Sequence, residues 1–368
     1  MYLPSYHNIL PYEQDGIEYP AETSATFVRY GEPRVIKKTN LRTLGRVIIS
    51  PLKGLKITGE YTYNRITEYN RMYVNKYKYI GFNFTGLLNN VENSRYALTQ
   101  GFTNYNAINA FANYDFSIGK HDISIMGGYN QEESHKESQW SQRTDVLLEN
   151  LPSLSGSTGT ASVTDSFDEY AIRGLFYRVN YTYDGKYMFE ANGRYDGTSR
   201  FPRGKRYGFF PSFSLGWRVS EEAFFDGIRD QFNNLKLRFS YGQLGNQNVG
   251  YYDYIRKISI GSQNYLFGGD KPTTATISAP VASDLSWERS IHKNLGVDMS
   301  FLNNRLAFSA DFYIRDTKDM LTDGMALPGV YGADSPSMNS AELRTKGYEL
   351  SVSWRDQFKL CLLYTSPS

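Results

Sequence analysis

Residues 55–64 read LKITGEYTYN. Leu55, Ile57, Gly59, Tyr61 and Tyr63 alternate there with Lys56, Thr58, Glu60, Thr62 and Asn64. A period of two sends successive side chains to opposite faces of an extended strand, so one face of this segment is apolar and the other polar. The same alternation recurs about ten more times and predicts strands near 41–50, 54–64, 108–118, 121–131, 170–183, 186–196, 209–219, 235–243, 291–302, 305–316 and 345–355. Leu175, Tyr177, Val179, Tyr181 and Tyr183 share one face, with Arg178, Asn180 and Thr182 opposite. Leu306, Phe308, Ala310, Phe312 and Ile314 repeat the pattern, with Ser309 and Asp311 opposite. Such strands in series must close into a barrel, pack as a sandwich, or sit in a membrane with the apolar face outward. Helical periodicity is confined to residues 220–228.

The connections choose among these. Short ones fall at 51–53, 119–120, 184–185 and 303–304, where Gly, Asp-Gly and Asn-Asn tolerate the positive φ of tight hairpins. Long polar stretches lie between, at 65–107, 132–169, 244–290 and 317–344, with 197–208 and 220–234 as two exceptions in length. Alternating short turns and long loops is the habit of an antiparallel up-and-down transmembrane β-barrel, and a sandwich has no reason to keep that parity. The fold class expected is therefore all-β, with residues 1–356 forming barrel.

Composition agrees. The 368 residues include 31 Tyr and 22 Phe, yet only 40% are hydrophobic, and the mean hydropathy is negative. Aromatic girdles and a water-facing alternate residue give membrane barrels this balance. A net charge of +2 argues against a nucleic-acid surface, and the single Cys361 leaves no disulfide framework or cysteine metal site. No apolar run suits a membrane-spanning helix, and residues 1–11 lack the basic start and apolar stretch of a signal peptide.

From Gly193 the residues become more specific. GRYDGTSRF (193–201) is followed by RYGFFPSFSLGWRVSEEAFF (206–225) and LKLRFSYGQLGN (235–246). LSWERS (285–290), NLGVDMSFLNNRL (294–306), FYIRDTKDML (312–321) and NSAELRTKGYEL (339–350) come next. In this order they resemble the SusC/RagA family of TonB-linked outer-membrane transporters from Bacteroidetes, by motif over roughly 170–355 and by pattern over 20–170. The resemblance implies a barrel of 22 strands plugged by an N-terminal domain that contacts the TonB complex. It also implies import of oligosaccharides, or of peptides, with a SusD-like surface lipoprotein as lid, all in the cell outer membrane. About 11 strands are legible here, with no plug, TonB box or signal, so the expectation is a central barrel fragment with two unpaired edges that aggregates alone. Residues 357–368 break the alternation and read as an atypical tail, either native sequence or a cloning or sequencing scar.

No catalytic constellation emerges. His7, His121, His135 and His292 lack metal-ligand spacing, no nucleophile elbow or phosphate loop is present, and no cofactor is expected. The basic stretch 193–208, GRYDGTSRFPRGKRYG, reads as a strand end and tight external loop. Asp196-Gly197 would supply its turn, and Arg200, Arg203, Lys205 and Arg206 would be solvated or face lipopolysaccharide phosphates. Two sets fit transport. Glu60, Arg178, Glu190, Arg194, Arg238, Asp298 and Asp311 fall on polar faces, where they would line a lumen and meet plug and solute, or merely pair with one another. Tyr251, Tyr252, Tyr254, Tyr265, Phe267 and Trp287, in the loop 244–290, would stack on sugars or anchor a protein partner, or form an interface girdle or pack within the loop itself. Rival readings are a passive porin, a barrel enzyme with a polar triad at the rim, or a secreted all-β adhesin whose apolar faces meet in a dry core.

Overall fold

The computed structural model describes residues 12–14, 16–19, 34–76, 78–80, 88–90, 93–229, 231–262, 266–269, 271–278, 280–282, 284–324, 328–331 and 335–356. Eleven strands form one sheet: β1 (Val35–Leu52), β2 (Leu55–Val74), β3 (Arg95–Ile118), β4 (His121–Thr144), β5 (Ala161–Tyr183), β6 (Tyr187–Thr198), β7 (Tyr207–Arg218), β8 (Phe232–Asn246), β9 (Glu288–Phe301), β10 (Leu306–Asp323) and β11 (Ser337–Trp354). Each pairs with its neighbours in sequence, so β1 and β11 are the sheet's two edges and the sheet is not closed. The fold is thus all-β, of the up-and-down kind, with the strand number that the alternation predicts. The register is antiparallel and unbroken from Tyr187↔Trp217 to Gly197↔Tyr207 and from Arg289↔Lys318 to Phe301↔Leu306.

The turns follow from residues that accept positive φ. Gly119 (φ 61°), Asp184 and Gly185 (50° and 66°) and Asn303 and Asn304 (58° and 63°) reverse the chain where the sequence places the turns. The first reversal falls instead at Lys53–Gly54, with Gly54 at φ 84°. Pro51 continues β1. The expected helix at 220–228 is two short 3-10 turns, Val219–Glu221 and Ala223–Ile228, interrupted at Glu222, which is extended. A third, Gly329–Tyr331, has no sequence signal.

Two corrections concern length. β3, β4 and β5 continue through much of the stretches read as loops, β3 starting at Arg95 and β4 ending at Thr144. Secondly, Asp196 and Gly197 do not turn: they pair with Gly174 and Arg173 on β5 and with Gly208 and Tyr207 on β7. The reversal lies beyond them, where Lys205 N–H donates to the Pro202 carbonyl at 3.1 Å and Gly204 has φ 91°.

The sheet is inverted relative to a soluble protein. Leu175, Phe213, Leu215, Leu295 and Phe312 are exposed, while Thr58, Thr62, Thr198 and Ser300 are buried. Leu295 keeps 59% of its surface open, whereas Thr62 keeps 7%. A secreted sandwich with a dry apolar core is therefore overturned. Burying the apolar side chains is the main driving force of folding in water, and this sheet leaves them outside.

The chain divides into two compact units, residues 1–44, 62–106 and 134–169 in one and 45–61, 107–133 and 170–368 in the other. The first has a core of Tyr73, Tyr96 and Val146, flanked by Leu98 and Leu154. Ser94, fully buried beside it, satisfies the Val146 N–H with its hydroxyl at 2.9 Å. The second is centred on Phe201, Phe210, Leu285 and Trp287.

Candidate functional site

Three of the polar-face residues meet on β8, β9 and β10. Arg238 Nε donates to Asp298 Oδ2 at 2.7 Å and Nη2 to Oδ1 at 3.0 Å. The same guanidinium reaches Asp311 through Nη1 at 3.1 Å and Nη2 at 3.0 Å. Asn294 and Ser309 complete the carboxylates, at 2.8 Å to Asp311 and 2.9 Å to Asp298. Asp311 lies two strands from Arg238, and Gly296 stands between them in the register. A Cβ on Gly296 would lie 2.6 Å from Asp311 Oδ1 and 2.7 Å from Arg238 Cζ. The glycine is what lets the fork cross a strand. Bidentate charge-assisted bonds are the strong kind, and two acids on one arginine leave the group with a net negative charge.

The other polar-face residues form separate groups. Glu60 pairs with Arg46 at 2.6 Å and accepts from Asn109 at 3.4 Å, and Asn130 donates to Asn109 at 2.6 Å, a row across β1 to β4. Arg194 holds Asp196 with two bonds, at 2.9 and 2.8 Å, and lies 5.4 Å over the Phe176 ring. Gly174 makes room for that carboxylate, since a Cβ there would collide with Asp196. Glu190 accepts from Asn192 at 2.8 Å, and Arg178, exposed, stands opposite Asn192 in the register. The polar face thus carries ions of which Glu60, Arg194 and Arg238 are matched by opposite charges, an arrangement that suits a wet lumen.

The loop aromatics separate. Trp287 is buried, edge-on to Phe201 (5.5 Å, 62°) and Phe210 (5.1 Å, 65°), and its indole N–H donates to the Arg206 carbonyl at 2.9 Å. It therefore joins the SRF and LSW motifs in one knot rather than facing solvent. Asn339 ties the preceding residue, exchanging bonds of 2.9 and 3.0 Å with the Ser286 backbone. Tyr251 stacks on Tyr170 at 6.1 Å and 23°. Tyr252 and Tyr254 are half-buried, and Phe267 is 79% exposed. Tyr265 lies outside the described residues, as does the tail 357–368. In the basic stretch, Arg203 and Lys205 are exposed as expected, but Arg200 and Arg206 fold inward. Arg206 Nε donates to the Phe201 carbonyl at 3.0 Å.

A belt of aromatic and charged groups marks the turn end of β4 to β7. His121 Nδ1 lies 2.9 Å from the Tyr181 hydroxyl, and Tyr187 stacks on Trp217 at 6.4 Å and 11°. Glu222 receives the Tyr187 hydroxyl at 2.6 Å and the Trp217 indole N–H at 3.1 Å, and these donors hold its carboxyl below the ordinary carboxylate value. The Lys120 ammonium, 2.8 Å away, lowers Asp184 in the same way. Rings with one apolar body and one hydrogen-bonded tip belong at a membrane interface.

An exposed apolar face, an ion-matched polar face and an aromatic belt at the turns define the wall of an outer-membrane β-barrel. The sequence matches the family described as TonB dependent receptor-like, beta-barrel, over residues 10–366, and the chain belongs to that family. It is 32% identical over 251 residues to TonB-dependent receptor P3 of Formosa agariphila, covering 67% of this chain and 24% of that protein. To TonB-dependent receptor SusC of Bacteroides thetaiotaomicron it is 30% identical over 250 residues, 66% of this chain and 24% of that one. A solved structure of the RagAB peptide transporter matches with a TM-score of 0.79 and 24% identity, over 93% of this chain and 37% of that one, a likeness of fold. The chain spans about a quarter of the length of the curated relatives it matches.

Sequence reasoning missed Gly296, Gly174, Arg46, Asp196, Tyr170 and Arg200 as members of these groups. The two glycines had a signal: each sits at a polar-face position, opposite a charged residue, where the alternation calls for a polar side chain. Arg200 had none, because a guanidinium folded under a loop reads the same as a solvated one.

Proposed function

We propose that the protein containing this chain imports a large nutrient, an oligosaccharide or a peptide, across the outer membrane with energy from the TonB complex. A SusD-like surface lipoprotein would capture the solute and close over the loop side, and a plug contributed by the N-terminal region would fill the lumen. The observation that carries this reading is the inverted sheet, whose polar face holds matched ions in a wet interior. Family membership adds the energised class, and the likeness to the RagAB peptide transporter supports a peptide, with an oligosaccharide as the alternative that the motif resemblance implies. Glu60, Arg178, Glu190, Arg194, Arg238, Asp298 and Asp311 would form the wall along which plug and solute move. Tyr251, Tyr252, Tyr254 and the exposed Phe267 would meet solute or lipoprotein, while Trp287 holds the loop root that presents them.

The test is uptake in a strain lacking the whole protein. Loss of uptake of fluorescent oligosaccharides or peptides above the porin size limit, restored by the gene only when TonB is present, is the expected result. Restored uptake that does not need TonB contradicts the energised reading and favours a passive pore.

A further inference from the structure

Arg200 differs from Arg46, Arg194 and Arg238 of the polar face, each of which holds a carboxylate. Among the described residues, no acid lies within ion-pair distance of Arg200. Its guanidinium carbon instead sits 4.8 Å from the Tyr170 ring centroid and 4.7 Å from that of Tyr251. Nη1 donates to the Val249 carbonyl at 2.9 Å, and Nε is buried with no acceptor. The backbone beneath is fixed: Ser199 N–H donates to the Ala171 carbonyl at 2.9 Å, and Ala171 N–H to the Ser199 hydroxyl at 2.9 Å. Tyr170 shares its parity on β5 with Arg178 and Asn180, the polar face.

A charge taken partly out of water without a counter-ion costs free energy, and a buried donor with no acceptor adds to that cost. Two tyrosine faces recover part of it. The Glu132 carboxylate acts on the Tyr170 hydroxyl, yet among the described residues no carboxylate pairs with the guanidinium itself. We propose that Tyr170, Arg200 and Tyr251 form a subsite for a carboxylate of the solute, carried by a sugar or by a peptide. The assignment rests on the import reading and names a chemical class for its solute. A carboxylate is a stronger acceptor than the Val249 carbonyl, and the planar fork of arginine suits its two oxygens. Exchange of one for the other releases residues 247–251 from the guanidinium and uncovers Nε. The aromatic pair holds Arg200 in place before and after.

The test uses the whole protein in detergent and four probes in calorimetric titration. Trigalacturonate and its methyl ester form one pair, trialanine and trialanine amide the other. Each pair compares acid with neutral, and the two pairs separate sugar from peptide. At least one acid is expected to bind about tenfold or more tightly than its neutral counterpart, as one charge-assisted pair implies. Arg200→Gln should erase that ratio, and Arg200→Lys should keep part of it. In the unmodified protein the ratio should shrink as salt rises from about 0.05 to 0.5 M, which keeps the test decisive if the variants misfold. Equal binding of acid and neutral probes, failure of both acids to bind at millimolar concentration, or a ratio that survives Arg200→Gln overturns the subsite. So does a variant that weakens acid and neutral probes alike while exposing residues 247–257 to protease, since Arg200 would then only hold the loop. Any of these results with TonB-dependent uptake intact leaves import standing and removes the anion subsite alone.

Discussion

Residues 55–64 and 131–144 both lie in long antiparallel strands, yet only the first reads as one. LKITGEYTYN alternates, whereas QEESHKESQWSQRT is polar at nearly every position. β4 contains both kinds of sequence: Ile123, Ile125 and Tyr129 give way to Glu133, His135, Glu137 and Gln139 at the same parity. The ladder of backbone bonds does not need apolar side chains, so the strand persists. Alternation reports what each face touches. Where the outer face meets lipid it must be apolar, and where it meets water it need not be. In the polar stretch neighbouring side chains satisfy one another: His135 stacks on Phe102 at 6.1 Å, meets Phe167 edge-on at 4.7 Å and lies 2.8 Å from Glu137.

This contrast can be broken by substitution. The largest effect expected is at the loop-side knot, where Trp287→Ala removes a buried indole and should cost about 3–5 kcal/mol. Urea titration of the whole protein in lipid vesicles measures it, and a loss below about 1 kcal/mol would remove the knot as an anchor. Next comes a matched pair on the two stretches. Leu295→Arg on the exposed apolar face should cost about 2–4 kcal/mol in the same titration, while Gln139→Arg on the polar extension should cost nearly nothing. Equal costs would erase the contrast. Arg238→Ala strands two carboxylates and should cost about 2–3 kcal/mol, and Gly296→Val should do similar damage by pushing the fork aside. A Gly296→Val protein as stable as its parent would mean that the three-strand bridge does not form.

The smallest effect is one of pH. Asp184 and Glu222 titrate below their unfolded values, so their bonds to Lys120, Tyr187 and Trp217 are fully in place above about pH 4. They are lost as the pH falls through the folded values. Protection factors at the turn residues 184–186 and 219–222 should therefore fall on acidification below about pH 4 and stay constant above it. Faster exchange on raising the pH beyond the intrinsic base-catalysed trend would contradict the assignment.

The strand count, the turns and the inverted faces were legible because lipid imposes a strict period of two and tight reversals demand Gly, Asp or Asn. The loop-side ends of β3 to β5 were not, since water on both faces removes the code. Candidate residues divided in the same way. Arg238, Asp298 and Asp311 share a face by parity alone, and the structure brings them together. Trp287 looked like an exposed loop aromatic because its partners, Phe201 and Phe210, are about eighty residues earlier, a separation that periodicity cannot bridge. Asp196-Gly197 looked like a turn because the dipeptide tolerates one. Arg194 and the strands on either side hold it extended instead.

The central claim, that the alternating face meets lipid, is tested most directly by spin-label accessibility in the whole protein reconstituted in vesicles. With Cys361 replaced, single cysteines at Ile57, Thr58, Tyr61 and Thr62, and at His135 to Gln139, carry the label. Labels at Ile57 and Tyr61 should be reached by oxygen and shielded from a water-soluble nickel complex, those at Thr58 and Thr62 should show the reverse, and those from 135 to 139 should show no apolar phase. Labels at Ile57 and Tyr61 shielded from both reagents would mean that the apolar face is packed against protein, and the membrane-wall account would be wrong.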